Sequence, residues 1–133
     1  MDRLFLDANV LFSAAYKRDA RVARLWALSS AALITSRYAM EEARFNLEGE
    51  QQRSRLGLLA RKLHFVDASE RPLPRGLSLP EKDVPILLAA IEARADYLLT
   101  GDIRHFGAYL GKKLEGVTIV TPAQYLKLKN PER

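Results

Sequence analysis

The sequence has no cysteine and only two histidines among its 133 residues. The absence of cysteine excludes disulfides and thiolate zinc sites, and two histidines make a histidine-rich metal site a poor hypothesis. No glycine precedes Gly49, which excludes the Gly-x-Gly-x-x-Gly loop that a dinucleotide-binding fold carries after its first strand. The apolar runs are far shorter than the roughly 20 residues of a membrane span, so we expect no membrane segment.

The remaining composition is that of a globular chain. Because 48% of the residues are hydrophobic, the chain can bury one core, and we predict a single domain over residues 1–133. Asp2 and Asp7 bracket too few apolar positions for a signal peptide, which makes a cytoplasmic protein the expectation. The net charge of +5 and pI near 9.7 weakly indicate a polyanionic partner such as nucleic acid.

Short apolar runs alternate with longer helical patterns, which predicts an α/β fold with a mostly parallel sheet. The predicted strands are Leu4–Leu6, Ala32–Thr35, Leu63–Val66, Tyr97–Thr100 and Val117–Val120. The predicted helices are Ala20–Leu28 with Asp19 as cap, Arg37–Leu47 with Ser36 as cap, Gln51–Lys62, Val84–Arg94 and a short helix from Thr121 to Leu128.

The start of the fourth helix depends on Pro85. A start at Ser78 would place this proline inside the helix, at a cost of about 3 kcal/mol. A start with Asp83 as N-cap puts Pro85 in the first turn, where its missing N–H costs nothing. We therefore predict that the helix begins at Val84.

Acidic residues follow the predicted strands, where parallel sheets bind their ligands. Asp7 comes directly after the first strand, Asp102 comes two residues after the fourth, and Glu42 lies in the helix after the second. Asp83, at the start of the fourth helix, can reach the same edge if its loop allows. Each acid also has a purely structural interpretation: Asp83 as an N-cap, Asp102 as a turn residue and Glu42 on a solvated helix face.

Carboxylates that converge stay ionised only around a cation, and oxygen ligands favour Mg²⁺ or Mn²⁺. Such ions clamp a phosphodiester and activate water. Asn9 is a neutral neighbour able to orient Asp7 by hydrogen bonding, and His105 is expected to be a surface or packing residue. Basic residues near the predicted site are candidates for RNA phosphate contacts: Arg37, Arg44, Arg104, Lys112 and Lys113.

Three stretches, LFLDANVLFSA, TSRYAMEEARFNL and EKDVPILLAAIEARADYLLTGDIRHFG, together resemble the PIN domain family, in the branch that includes VapC-type toxins. The resemblance implies a three-layer α/β/α sandwich with a mostly parallel five-stranded sheet. It implies a Mg²⁺- or Mn²⁺-dependent ribonuclease, often a homodimer, and often neutralised by a small antitoxin protein. The region between Glu50 and Leu79 is the least similar.

On this resemblance the catalytic and metal-binding acids fall on Asp7, Glu42, Asp83 and Asp102. Asn9 and Thr100 match polar positions beside the family site. Glu41 competes with Glu42 for the helix position, and Glu42 is preferred because similar chains carry the acid six residues after the serine that starts the helix.

Two hypotheses follow. The first is a metal-dependent endoribonuclease, in the role of the toxin of a toxin–antitoxin pair. The alternative is a catalytically silent PIN-like module that binds RNA or protein. An apolar helix face around Leu25 and Trp26 is compatible either with a homodimer interface or with the core.

Overall fold

The computed structural model describes residues 1–67 and 70–129. These contain a six-stranded sheet with the strand order β3-β2-β1-β4-β6-β5. Every pairing is parallel except that of β5 with β6. The strands are β1 (Asp2–Leu6), β2 (Ala31–Ser36), β3 (His64–Val66), β4 (Tyr97–Leu99), β5 (Lys113–Leu114) and β6 (Val117–Val120).

Six α-helices accompany the strands in the described residues. They are α1 (Ala8–Tyr16), α2 (Arg37–Asn46), α3 (Glu50–Ala60), α4 (Val84–Glu92), α5 (Ile103–Phe106) and α6 (Pro122–Lys129). Four of them, α1, α2, α5 and α6, come shortly after a strand. Short 3-10 segments cover Arg21–Ala27, Glu81–Asp83 and Gly107–Tyr109. In the described part of the chain, no helix is long and apolar enough to cross a membrane.

The central strand β1 shows why the protein has three layers. Leu4, Phe5 and Leu6 follow one another and each has 0% of its surface exposed. Since successive strand residues point to opposite faces, both faces of the sheet are covered. The predicted three-layer α/β/α class is therefore confirmed.

The strand count differs from the five predicted, because β5 is a sixth strand. Lys113 and Leu114 pair antiparallel with Thr118 and Val117. Two residues are too few to produce a hydrophobic period. The hairpin is closed by Glu115 and Gly116, whose φ angles of 49° and 90° are those of a tight two-residue turn.

Local capping explains where two helices begin. The Ser36 hydroxyl accepts a hydrogen bond from the Ala39 N–H, so α2 starts at Arg37 as predicted. At α6, Thr121 Oγ1 accepts from the Gln124 N–H while Gln124 Oε1 accepts from the Thr121 N–H. This reciprocal pair is a capping box.

One predicted helix and one predicted capping bond need correction. The segment predicted as Ala20–Leu28 is a 3-10 helix, Arg21–Ala27, and it starts without a side-chain cap from Asp19. Its Leu25 and Trp26 are buried, so that apolar face belongs to the core rather than to an exposed surface. The helix α4 begins at Val84 as predicted, with Asp83 before it and Pro85 in the first turn, but the Asp83 side chain makes no capping hydrogen bond. It lines the cleft described below.

The helix α1 was not predicted. It begins immediately after β1, with the Asp7 carboxylate accepting from the Ala8 N–H at 2.6 Å. Its apolar sequence lacks the polar stripe of an amphipathic helix because five of its residues are buried. Without a polar stripe, the apolar sequence of α1 shows no helical period and resembles that of a buried strand.

The topology places a crevice beside β1. From β1 the chain moves to β2 on one side, and from β4 it moves to β6 on the other, while β1 and β4 are neighbours. This reversal of direction is a switch point, outside whose carboxyl ends α/β proteins bind ligands.

Candidate metal centre in an acidic cleft

A cleft of about 410 Å³ opens at this switch point. Four carboxylate residues line it, each supplied by a different element. They are Asp7 after β1, Glu42 in α2, Asp83 before α4 and Asp102 after β4. The cleft also contains Asn9, Phe12, Asn46 and Lys82. The structure thus brings the four acids predicted from the sequence to one place.

Asp7 is the most enclosed of these acids, with 3% of its surface exposed. Its Oδ2 accepts hydrogen bonds from Thr100 Oγ1 at 2.8 Å and from Asn9 Nδ2 at 3.2 Å. Asn9 Oδ1 in turn accepts from the Gly101 N–H at 2.7 Å. Asn9 and Thr100 therefore fix the orientation of the Asp7 carboxylate, as the sequence predicts for Asn9.

Gly101 allows this network to be compact. A Cβ at this position would lie 3.3 Å from Asn9 Oδ1, closer than most such contacts. The Asp102 N–H donates to Thr100 Oγ1 at 3.0 Å. The turn after β4 is thereby tied to Asp7 after β1.

The electrostatics of the cleft are those of crowded, desolvated acids. Burial raises the pKa of Asp7 to about 6, against the hydrogen bonds from Thr100 and Ala8, which favour the ionised form. The negative charges of Asp83 and Glu42 raise this pKa further. The site therefore favours any cation that relieves the repulsion.

The positions of Glu41 and Glu42 on α2 determine which of the two side chains reaches the cleft. Glu42 is half-buried and lines the cleft, whereas Glu41 is exposed and is absent from the cleft lining among the described residues. The helix start at Ser36 sets this orientation, since a shift of one residue would turn Glu42 by about 100°.

The most compact group of donors is Asp83, Asp102 and His105. Their ligand atoms all lie within 4.8 Å of one another. His105 Nδ1 is 2.7 Å from Asp83 Oδ2 and 2.7 Å from Asp102 Oδ2. The His105 N–H of the backbone also donates to Asp102 Oδ1 at 3.1 Å, which caps α5 and fixes the spacing of the two residues.

Asp83 is buried, with 6% of its surface exposed. Burial and the charge of Asp102 raise its pKa, with burial the larger cause, while His105 and Lys82 act in the opposite direction. Within the described residues, Asp83 Oδ2 and His105 Nδ1 are buried atoms without a hydrogen bond of regular geometry. Two buried polar atoms 2.7 Å apart without a regular hydrogen bond, next to three further carboxylates, fit a divalent cation bound by oxygen-rich ligands.

Sequence reasoning missed His105, which was expected to be a surface or packing residue. A signal was present in the spacing Asp102-x-x-His105, because residues three apart face the same side of a helical turn.

Lys82 and Tyr38 were also missed. Lys82 lines the cleft on the 3-10 turn Glu81–Asp83, and its ammonium is the cationic side chain in the described lining. The Tyr38 hydroxyl donates to the Lys82 carbonyl oxygen at 2.8 Å, which links α2 to this turn. Burial and the neighbouring Glu42, Asp83 and Asp7 raise the Tyr38 pKa, so the phenol stays protonated as the donor.

The predicted basic residues lie outside the lining of the cleft in the described chain. Arg37 forms an exposed ion pair with Asp67 at 3.8 Å. The others are exposed on α2, α5 and the β5 hairpin: Arg44, Arg104, Lys112 and Lys113. Their contact with RNA phosphates stays a prediction.

The family model of the PIN domain matches residues 3–104, a span that includes all four acids. The chain belongs to the PIN domain family. No curated protein matches the chain significantly.

Solved structures of the same fold include two complexes with DNA. VapBC2 from Rickettsia felis, bound to a DNA fragment from their promoter, has a chain 18% identical to this one, with a TM-score of 0.66. The alignment covers 90% of this chain and 98% of that one. FitAB bound to the IR36 DNA fragment has a chain 20% identical, with a TM-score of 0.56, and the alignment covers 90% and 94% of the two chains.

Proposed function

We propose that the chain is a divalent-metal-dependent endoribonuclease whose cleft cuts RNA phosphodiester bonds. The observation that carries the proposal is the meeting of four carboxylates from four elements in one cleft at the switch point of the sheet. Asp7 and Asp102 each accept one backbone N–H at a helix start, but these single contacts do not explain why four like charges lie together, which costs stability without a cation. Membership of the PIN domain family supports the same chemistry.

The residues that would hold Mg²⁺ or Mn²⁺ are Asp7, Glu42, Asp83 and Asp102. A divalent ion bound there supplies a Lewis acid and lowers the pKa of water. The desolvated Asp7 and the buried Asp83 fit this assignment, because a divalent cation offsets the cost of ionising carboxylates that water reaches poorly. The choice between the two metals is part of the proposal.

The chain's own residues prepare the site for a phosphodiester. Thr100 and Asn9 hold Asp7, while Tyr38 holds the turn that carries Asp83. Lys82 places an exposed ammonium at the cleft, where a phosphate of the substrate can be bound. Because these groups are positioned before substrate arrives, the cost of organising the site at the moment of reaction is small.

A matched pair of variants on α2 tests the proposal. Glu42→Gln removes a cleft carboxylate without changing side-chain size, and Glu41→Gln makes the same change one residue away on the exposed face. With labelled RNA and Mn²⁺, we expect Glu42→Gln to lose about 100-fold or more of the cleavage rate, since metal-ion charge stabilisation contributes several kcal/mol. Glu41→Gln should cleave like the parent, and EDTA should stop all cleavage.

Calorimetric titration with Mn²⁺ separates the nuclease from a silent binding module. The nuclease binds the ion with an affinity that Glu42→Gln weakens. Equal cleavage by the parent and Glu42→Gln, or cleavage that persists in excess EDTA, would contradict the proposed function. RNA binding without Mn²⁺ uptake would favour the silent module instead.

We also propose that the chain is the toxin of a toxin–antitoxin pair. The support is its similarity in fold to chains of the two-component assemblies VapBC2 and FitAB. Two exposed aromatic side chains are candidates for contact with a small protein: Tyr16 on α1 is 53% exposed and Phe45 on α2 is 83% exposed. α1 and α2 pack against each other.

Co-expression with the product of the neighbouring gene tests this partner. We expect the two chains to co-elute, RNA cleavage to be inhibited, and Phe45→Asp to weaken the complex while leaving cleavage intact. Two chains that elute separately would contradict the pairing. Light scattering of the purified chain tests the homodimer that the family resemblance implies.

A further inference from the structure

We infer that His105 is a metal ligand, so that the centre combines carboxylate oxygens with one imidazole nitrogen and prefers Mn²⁺ to Mg²⁺. The inference rests on the proposed metal site and goes beyond its four acids. It concerns the group formed by Asp83, Asp102 and His105, in which two carboxylates come from different elements and converge on one ring nitrogen.

The first support is the spacing of the donor atoms. His105 Nδ1 lies 2.7 Å from Asp83 Oδ2 and from Asp102 Oδ2. Two ligands at right angles around an ion, each about 2.1 Å from it, are about 3 Å apart. The observed separations are thus close to those of adjacent ligands around one small cation.

The second support is the direction in which these atoms point. At 2.7 Å a ring N–H and a carboxylate normally form a short, well-aligned hydrogen bond. Here Asp83 Oδ2 and His105 Nδ1, both buried, lack such a bond in the described structure. Adjacent ligands of one ion have this arrangement, because each lone pair points to the ion rather than to its neighbour.

The third support is the way His105 is held. Asp102 Oδ1 accepts the His105 backbone N–H at 3.1 Å, which leaves Asp102 Oδ2 to face His105 Nδ1 at 2.7 Å. Asp83 is more than nine-tenths buried, so its Oδ2, which makes no hydrogen bond of regular geometry in the described structure, is enclosed rather than solvated. A neutral imidazole at this point adds a ligand without adding to the negative charge of the site.

The chemistry predicts a consequence for metal selection. Carboxylates and water suit both Mg²⁺ and Mn²⁺, whereas an imidazole nitrogen suits first-row transition metals better than it suits Mg²⁺. The centre should therefore bind Mn²⁺ more tightly than Mg²⁺ by a margin that depends on His105. The alternative to a metal ligand is a His105 imidazolium that forms ion pairs with Asp83 and Asp102. In that case a bound metal would displace the His105 side chain from the two carboxylates.

Pulsed electron paramagnetic resonance of the Mn²⁺-loaded parent distinguishes these cases without relying on a variant. A nitrogen ligand produces ¹⁴N modulation of the Mn²⁺ spin echo, and ¹⁵N-histidine labelling must change that modulation. The sequence has only two histidines, so His64→Ala, on the exposed edge strand β3, is the matched control for His105→Ala.

We expect nitrogen modulation in the parent and in His64→Ala, and its loss in His105→Ala. Calorimetry should show Mn²⁺ affinity falling about tenfold or more in His105→Ala, with a smaller change for Mg²⁺. Mn²⁺ that binds stoichiometrically to the parent with no nitrogen modulation overturns the His105 assignment and leaves the proposed nuclease intact. No Mn²⁺ binding by the parent overturns both.

Discussion

The Asp7 carboxylate combines a structural contact with a proposed chemical role. One oxygen accepts the Ala8 N–H and so begins α1, while the other accepts from Thr100 and Asn9 at the cleft. Because the carboxylate is buried beside other acids, ionising it in the metal-free protein costs free energy. A residue that destabilises the fold at neutral pH is typical of a functional site.

The pH dependence of stability measures this cost. The folded pKa of Asp7 is about 6 and the ordinary value is 3.8, so between these values the folded protein binds more protons than the unfolded chain. Stability from this group is therefore complete below pH 3.8 and is lost as the pH rises to about 6, by about 3 kcal/mol. Asp7→Asn in EDTA should remove this loss, as measured by urea unfolding at pH 4 and pH 7.

The parent and Asp7→Asn are compared by the change in the free energy of unfolding of each protein between pH 4 and pH 7. Comparing the change, and not the absolute stability, cancels the hydrogen bond that the amide loses, worth about 1 kcal/mol. Asp19→Asn on an exposed residue serves as the control and should leave the pH dependence unchanged. Identical pH profiles for Asp7→Asn and the parent would show that Asp7 is not desolvated in solution.

At the scale of an element, α4 ends in a backbone conformation that glycine adopts more easily than the arginine present there. The Ala95 N–H donates to the Ala90 carbonyl and the Arg94 N–H donates to the Ile91 carbonyl, which is the bonding pattern of a Schellman motif. Arg94 occupies the position that glycine usually occupies in this motif, and its φ is 54°. After this motif the chain enters β4, which is followed by Thr100 at the cleft.

Arg94→Gly should raise the free energy of unfolding by about 1 kcal/mol, because glycine adopts positive φ without the steric cost that a Cβ carries. Arg94→Ala is the matched control, since it removes the same charge and side chain but keeps the Cβ. Thermal unfolding of the three proteins provides the measurement. If alanine stabilises as much as glycine, then side-chain charge and not backbone geometry controls this site.

Elements whose patterns are local were predictable from the sequence. The Thr121–Gln124 capping box and the Ser36 cap depend on residues three apart, and both occur as expected. The helix α1 was missed because burial of most of its length removes the polar stripe that identifies a helix. Strand β5 was missed because two residues acquire strand geometry only from their partner β6.

The same distinction applies to the cleft. The acids at strand ends could be located from the sequence, since the carboxyl ends of parallel strands share an edge. The roles of Lys82 and Tyr38 could not, because they depend on how the turn before α4 packs on α2. Asp83 was assigned a capping bond that it does not make, since a cap pattern in sequence does not show which way the carboxylate turns.

At the scale of the whole molecule, acidic and basic side chains are unevenly distributed over the protein. The net charge is +5, yet the cleft gathers four carboxylates, so the excess of basic side chains lies on the rest of the surface. A metal bound by the acids would remove the local repulsion toward RNA. The body of the protein then attracts the polyanion, while Lys82 provides a cation at the cleft itself.

The salt dependence of RNA binding tests which surface the polyanion follows. For a single strand, the logarithm of the binding constant falls with the logarithm of salt concentration by a slope of about 0.7 for each neutralised phosphate. In a cleavage-deficient Glu42→Gln background with Mn²⁺, Lys82→Gln should reduce this slope by about 0.7, because one phosphate contact is lost. Fluorescence anisotropy of labelled RNA between low and moderate salt measures it.

Lys127→Gln provides the matched control, because it removes the same charge from exposed α6. The end of α6 lies against Asp2 at the amino end of β1, opposite the cleft, through Tyr125 and Lys129. Its slope should equal that of the background. A reduced slope for Lys127→Gln with none for Lys82→Gln would place the RNA path at the amino ends of the strands, where the four carboxylates could not reach the bond to be cut.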